Sequence, residues 1–199
     1  HPDLRDLPTH AGVDKDCREE IERRTAENIE TMKQLQEVLY ADGREGIVLV
    51  LQALDAAGKD SIIKHVMSGL NPQGVMVHSF KQPGAEELSH DYLWRGVKQL
   101  PPRGSIAIFN RSHYEDVLAV QILELWKKAQ LPDRVLQDSR SEFFRKRYRQ
   151  IRQFEEYLYE NGYQVVKVFL NVSKEEQGKR FLERIEKPEK NWKFASSDL

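Results

Sequence analysis

The residues with the clearest chemical potential in this sequence are Ala53-Leu54-Asp55-Ala56-Ala57-Gly58-Lys59-Asp60-Ser61. They follow the apolar, β-branched run Ile47-Val48-Leu49-Val50-Leu51 and precede a segment with helical spacing, so they read as a loop joining a buried strand to a helix. Such a junction binds anions. The first backbone N–H groups of a helix have no intrahelical partner and point toward a ligand placed at its start. Gly58 lets the chain approach closely, and Lys59 delivers a point charge to phosphate oxygens. Ala56, Ala57, Gly58, Lys59, Asp60, Ser61 and, one turn on, Lys64 are therefore the expected phosphate-binding residues.

Measured against the usual phosphate-loop pattern G-x-x-x-x-G-K-[ST], Ala53 replaces the first Gly and Asp60 replaces the hydroxyl residue that ligates Mg²⁺. Ser61 comes one residue late. The metal is accordingly expected on carboxylates, and Asp55, an unusual residue inside such a loop, is the first candidate.

A second cluster, Asn110-Arg111-Ser112-His113-Tyr114-Glu115-Asp116, follows the apolar run Ser105-Ile106-Ala107-Ile108-Phe109. Open α/β sheets bind ligands at the C-terminal ends of their strands, so both clusters are expected to share one crevice. Arg111 can clamp phosphate in a bidentate way, while Asp116 or Glu115 can hold a divalent cation directly or through water. The blander reading is that Asn110 and Ser112 cap the helix that begins near Tyr114 and the charges pair on the surface. His113 reads as a structural hydrogen-bonding residue rather than a general base.

Lys81, Pro83, His90, Asp91 and Arg95 flank the end of the next strand and could hold a second substrate. Arg180 and Arg184, four apart, lead into Lys187, Lys190 and Lys193, a cationic strip suited to a basic lid over a phosphate-loaded crevice. Arg145, Arg149 and Arg152 form another basic row, expected at the surface.

These residues need a scaffold. After an irregular arm over 1–16, Ile21, Ile29, Met32, Leu35 and Leu39 mark an amphipathic helix between Asp16 and Tyr40. Strands are expected at 47–51, 75–80, 105–109 and 163–170, and helices at about 59–70, 86–100, 114–128 and 173–185, the last capped by Ser173 with Glu176 three residues on. A long helix carries Phe144, Tyr148, Ile151, Phe154 and Leu158 on one face and stops at Asn161-Gly162; residues 129–140 read as a loop around Pro132. Alternating strands and helices predict an α/β fold, a three-layer sandwich around a mostly parallel sheet with right-handed crossovers.

The 199 residues suffice for one domain. Lys and Arg total 31 against 32 Asp and Glu, so there is no global basic field to recruit nucleic acid or a membrane. Cys17, the only cysteine, excludes an internal disulfide and a cysteine-based zinc cluster and is compatible with a reducing cytoplasm. No apolar run reaches membrane-spanning length, and the start HPDLRDLPTH lacks a signal peptide's apolar core, so the expectation is a cytoplasmic protein.

The blocks L-D-A-A-G-K-D-S-I-I-K-H-V-M-S-G-L-N-P-Q-G-V, S-F-K-Q-P, H-D-Y-L-W-R, N-R-S-H-Y-E-D-V-L and P-E-K-N-W-K-F, in this order, resemble polyphosphate kinase family 2 over about 40–199. The resemblance covers the departures from the phosphate-loop pattern, since that family is similar in having Asp in the loop and no Ser or Thr after the Lys. It implies a P-loop kinase-like, thymidylate-kinase-like domain over 1–199, with an N-terminal arm and helix over 1–42 and the start of a basic lid from about 178.

It also implies Mg²⁺-dependent (or Mn²⁺-dependent) transfer of a terminal phosphoryl group from inorganic polyphosphate to an adenine or guanine nucleotide, AMP to ADP or ADP to ATP, sometimes reversibly, in a homo-oligomer, a dimer or tetramer. Carried over, Asp55 is the essential loop carboxylate, Lys59 and Arg111 are phosphate clamps, and Asp116 is the second acidic partner. Arg180 and Arg184 belong to the lid. Apart from the resemblance, Lys81, Pro83, Asp91, Arg95, Asn110 and Glu115 are the expected nucleotide-binding residues. The E-D-V-L version looks like members that act on both mono- and diphosphates. Members continue past W-K-F through the rest of the lid, so the C-terminal part is expected to be missing here. Two rival readings stand beside this one. An ATP-dependent nucleoside monophosphate kinase of similar fold has Asp60 at the metal position against it; the other is a non-catalytic polyphosphate-binding module.

Overall fold

A computed structural model describes residues 6–10 and 17–186. The elements alternate as expected: α1 (Arg18–Asp42), β1 (Gly46–Ala53), α2 (Lys59–Val66), β2 (Val75–Ser79), α3 (Ala85–Leu88), α4 (Trp94–Val97), β3 (Ile106–Asn110), α5 (Ala119–Ile122), α6 (Asp133–Leu136), α7 (Arg140–Glu160), β4 (Tyr163–Leu170) and α8 (Lys174–Glu186). The strands form one sheet in the order β2-β3-β1-β4. β3 lies parallel to both neighbours, with Ile106 opposite Ile47 and Val75, and Asn110 opposite Leu51 and Ser79. This is an α/β fold whose order requires crossovers, because β1 and β2 are consecutive yet separated by β3.

The chain divides into two compact units, one from His1–Met32, Gln52–Gly69 and Phe169–Leu199, the other from Lys33–Leu51 and Leu70–Val168. In the second unit Val48, Val50, Phe80, Ala107 and Phe109 form one buried cluster, packed by Leu100, Tyr114, Tyr163 and Val165. Continuous burial of Ile106 to Phe109 is what an interior strand covered on both faces demands. A second cluster, Val117, Trp126, Phe143, Phe144 and Ile151, joins α7 to the segments around α5 and α6. In the first unit the arm is tied down where Asn171 Nδ2 donates to the Leu7 and Pro8 carbonyls.

Several helices differ from the expected spans. The segment 86–100 is two short helices, because Ser89 Oγ donates to the Glu86 carbonyl at 2.7 Å and Asp91 Oδ1 accepts the Leu93 N–H at 2.9 Å, side-chain bonds that compete with helical ones. The segment 114–128 opens as a 3₁₀ turn, His113–Asp116, and breaks again at Glu124, whose φ of 52° is left-handed. α2 ends at Val66, before Ser68-Gly69, rather than at Leu70. The expected loop at 129–140 contains α6.

Two apolar faces also need correcting. Tyr148 is 47% exposed, and Phe143 takes its place in the buried row of α7. On α1, Ile21 and Leu35 are exposed, and in its second-unit half the anchor is instead polar: buried Gln36 donates to the Asn71 carbonyl at 2.9 Å and accepts the Asn71 N–H at 2.8 Å. Gly74 makes room for this, since a Cβ there would lie 2.8 Å from Gln36 Nε2.

Candidate functional site

In the first unit the loop after β1 turns sharply into α2. Gly58, at φ 102° and ψ 18°, is the left-handed N-cap of α2, a conformation that costs any residue with a Cβ about 1–2 kcal/mol. Ala56 is also left-handed, at φ 59°, and the Ala57 N–H donates to the Leu54 carbonyl at 3.4 Å, closing a tight turn just ahead of the helix. Ile62 N–H donates to the Gly58 carbonyl at 3.0 Å, so α2 is regular from its first turn. Lys59 is only 8% exposed; its Nζ donates to the carbonyls of Ala53 at 3.2 Å and Leu54 at 3.3 Å, which folds the ammonium back along the loop. Asp60, Ser61 and Lys64 stay exposed on α2.

α8 braces this loop. Gln177 Nε2 donates to the Asp55 carbonyl at 2.8 Å, and Arg180 Nη1 donates to the carbonyls of Ala57 at 2.8 Å and Ala56 at 3.3 Å, while its Nε is held by Glu176 at 2.8 Å. Arg180, expected on the lid, is thus a strut of the loop itself, and its charge sits beside Gly58, whose added Cβ would meet Nη1 at 3.3 Å. Gln177 was not singled out by the sequence. Ser173 Oγ accepts the Glu176 N–H at 3.2 Å, the expected cap. The Arg184 side chain and Lys187, Lys190 and Lys193 lie outside the described residues.

In the second unit the cluster at 110–116 follows β3. Arg111 adopts a left-handed φ of 64°, a strained conformation for a residue with a long side chain, and its N–H donates to the Leu51 carbonyl at 3.0 Å, pinning the turn to the end of β1. The Arg111 guanidinium meets Glu115 Oε1 at 3.4 Å. Ser112, buried, accepts the Tyr114 N–H at 3.1 Å, so the capping reading holds for Ser112. Asn110 accepts the Phe80 N–H through its carbonyl at 3.0 Å.

Asp116 is mostly buried. Its Oδ2 lies 2.8 Å from Arg147 Nε, yet the N–H is not aimed along that line, so the oxygen keeps acceptor capacity. Burial pushes the Asp116 carboxyl up and the Arg147 charge pulls it back down, the net being a rise. Lys81, Pro83 and Asp91 are exposed. Arg95 is held: it reaches Glu87 at 3.1 Å, donates to the Lys81 carbonyl at 2.8 Å and stacks on Phe80.

A buried anchor behind this cluster went unread in the sequence. Glu155, on α7, accepts the Tyr114 O–H at 2.7 Å and a bond from Lys167 on β4, with His113 Nε2 at 3.8 Å, beyond hydrogen-bond reach. Burial would push the Glu155 carboxyl up, but the His113, Lys167 and Tyr114 groups around it outweigh that and hold it at about 2. Tyr114 is pushed up by burial and by that carboxylate. His113 is 4% exposed and stacks edge-on against Phe154, as a structural residue would.

The depressed Glu155 value fixes a sign. The ionised form stabilises the fold above the ordinary 4.5, and that contribution disappears as pH falls toward 2. Glu155→Gln should therefore cost about 3 kcal/mol at pH 7. Urea unfolding of both proteins should show the difference shrinking below pH 4.5; an equal difference at pH 7 and pH 2.5 would contradict the assignment.

The described residues contain no group of three or more His, Cys, Asp or Glu placed to hold a metal. Mg²⁺ is ordinarily bound through one or two carboxylates, with water and substrate phosphates completing its shell. Asp55 and Asp116 are the carboxylates of the right chemistry. Among the described residues, no helix is long and apolar enough to cross a membrane.

A family model described as Polyphosphate kinase 2 (PPK2) matches residues 15–199. The chain is 46% identical over 198 residues to an ADP-polyphosphate phosphotransferase of Rhodopseudomonas palustris, covering 99% of this chain and 68% of that protein. It is 48% identical over 168 residues to an AMP/ADP-polyphosphate phosphotransferase of Meiothermus ruber, covering 84% of this chain and 58% of that one. The crystal structure of polyphosphate kinase 2 from Arthrobacter aurescens superposes with a TM-score of 0.80 at 39% identity, over 99% of this chain and 65% of that one. The chain thus spans roughly three fifths to two thirds of these relatives' length.

Proposed function

Because the chain belongs to the polyphosphate kinase 2 family, we propose that it transfers the terminal phosphoryl group of inorganic polyphosphate to a nucleoside mono- or diphosphate. The observation that carries this reading is the loop after β1, where left-handed Gly58 opens α2 and Lys59 supplies a fixed positive charge. A phosphate oxygen of the acceptor attacks the terminal phosphorus in line. The new P–O bond forms as the bond to the penultimate phosphate breaks, and the shortened polyphosphate leaves with the electron pair. No covalent enzyme intermediate is needed.

In this reading the N–H groups over 56–61 and Lys59 hold polyphosphate oxygens, Arg180 keeps the loop in shape, and Arg111 clamps phosphate. Lys64 and Arg184 add charge, and Lys81, Pro83, Asp91, Arg95, Asn110 and Glu115 serve the nucleotide. Asp55 and Asp116 are each a carboxylate that would hold Mg²⁺, and the ion would supply charge neutralisation on the transferred group. Because an ADP phosphate is already ionised near neutral pH, Asp55 positions cation and acceptor rather than removing a proton.

Incubating the purified chain with Mg²⁺, ADP and long-chain polyphosphate should yield ATP, and omitting either Mg²⁺ or polyphosphate should abolish it. Adenine and guanine acceptors, mono- and diphosphate, are compared in the same assay. No ATP from polyphosphate, with ADP formed instead from AMP and ATP, would replace this reading by a nucleoside monophosphate kinase.

A further inference from the structure

We propose that Arg147 is a positioning residue for Asp116, fixing the orientation in which that carboxylate receives the divalent cation. Arg147 lies inside the buried face of α7, where spacing calls for an apolar side chain: Phe143 and Ile151 are four residues to either side of it. Its guanidinium is held on three sides. The Cζ stands 4.1 Å from the centre of the Tyr92 ring and 4.9 Å from that of Phe143, and Nη1 donates to Gln150 Oε1 at 3.1 Å. Tyr92 O–H donates to the same Gln150 oxygen at 3.2 Å, so the amide that orients the arginine is itself oriented.

Its Nε lies 2.8 Å from Asp116 Oδ2, a charge contact in which the N–H is not directed at the oxygen. That oxygen is closed off from solvent, so the exposed remainder of the side chain, 16% in all, lies away from Arg147. A guanidinium stacked on two rings cannot follow the carboxylate if it swings, so its charge, 2.8 Å from Oδ2, holds the carboxylate by attraction while leaving that oxygen's acceptor capacity unused. Such partners set the orientation of metal-binding groups and typically change metal affinity or activity about 10–100-fold when removed.

The inference rests on the proposed metal role of Asp116, and the experiment separates the two. Mn²⁺ binding is read directly from the free-ion paramagnetic resonance signal at saturating ADP for the wild type, Asp116→Asn, Arg147→Lys and Arg147→Met, with thermal unfolding of each. Arg147→Lys keeps the charge without the flat fork, and Arg147→Met keeps the packing without the charge. Both should weaken Mn²⁺ binding about 10–100-fold, approaching Asp116→Asn. In turnover they should raise the Mg²⁺ concentration needed for half-maximal rate while leaving the KM for ADP nearly unchanged.

If Asp116→Asn loses Mn²⁺ and both Arg147 variants retain it, Arg147 is a structural ion-pair partner only and the inference falls. The same holds if Mn²⁺ is lost only in proportion to unfolded protein. If Asp116→Asn binds Mn²⁺ like the wild type, the metal role of Asp116 falls first and takes the inference with it.

Discussion

Lys59→Met should lower kcat/KM for transfer from polyphosphate to ADP by about 10²–10³, the usual loss when one preorganised donor aimed at the reacting group is removed. The ammonium is closely held. It is 8% exposed and rests on the carbonyls of Ala53 and Leu54, so its charge is already beside the loop when an anion arrives. Met matches the volume and leaves those carbonyls without the ammonium, at about 1–3 kcal/mol of stability. Steady-state kinetics with thermal unfolding checks both halves, and a variant within a few-fold of the wild type would remove Lys59 from the reaction. Lys59→Arg should recover part of the binding and little of the rate, because a planar fork does not fit where a compact ammonium folds back on the loop.

The second large effect belongs to Asp55. Asp55→Asn keeps the side-chain shape and the backbone carbonyl that Gln177 holds at 2.8 Å, so the loop should stand. It removes one of the two carboxylates assigned to the cation. Loss of metal-assisted charge stabilisation worth several kcal/mol corresponds to about 10³-fold or more in kcat. Raising Mg²⁺ should restore little of it. Turnover near the wild-type rate with an unchanged unfolding midpoint would show that the loop carboxylate has no catalytic task.

Much of this was legible from the residues alone. Apolar runs, with alternation in Tyr163–Leu170, located the four described strands to within about two residues. The loop at 53–61 announced its conformation through Gly58, and Ser173 with Glu176 announced the start of α8. Helix interiors were less legible. Ser89 and Asp91 broke the expected helix at 86–100 through bonds to their own backbone, which periodicity does not register.

The supports of the site were harder still, because they act across long sequence separations. Glu155 reaches Tyr114, 41 residues away, and Gln177 reaches Asp55, 122 residues away. A signal did exist for two of them. Arg147 stands four residues from both Phe143 and Ile151, and Glu155 stands four from Ile151 and three from Leu158, so each is a charge set in an apolar row. A charge in that position must find a buried partner or unfold the face that carries it. Arg180 was placed by its charge and its neighbours, and nothing in the spacing revealed that it would brace the loop carbonyls.

The central claim is that condensed phosphate is held at the start of α2. A crystal structure of the chain soaked with a short polyphosphate tests it most directly. The account predicts phosphate oxygens at about 2.7–3.2 Å from Lys59 Nζ and from backbone nitrogens of the Gly58 turn, with Nζ drawn off the Ala53 and Leu54 carbonyls. Polyphosphate bound elsewhere, with Lys59 still folded on those carbonyls, would contradict it.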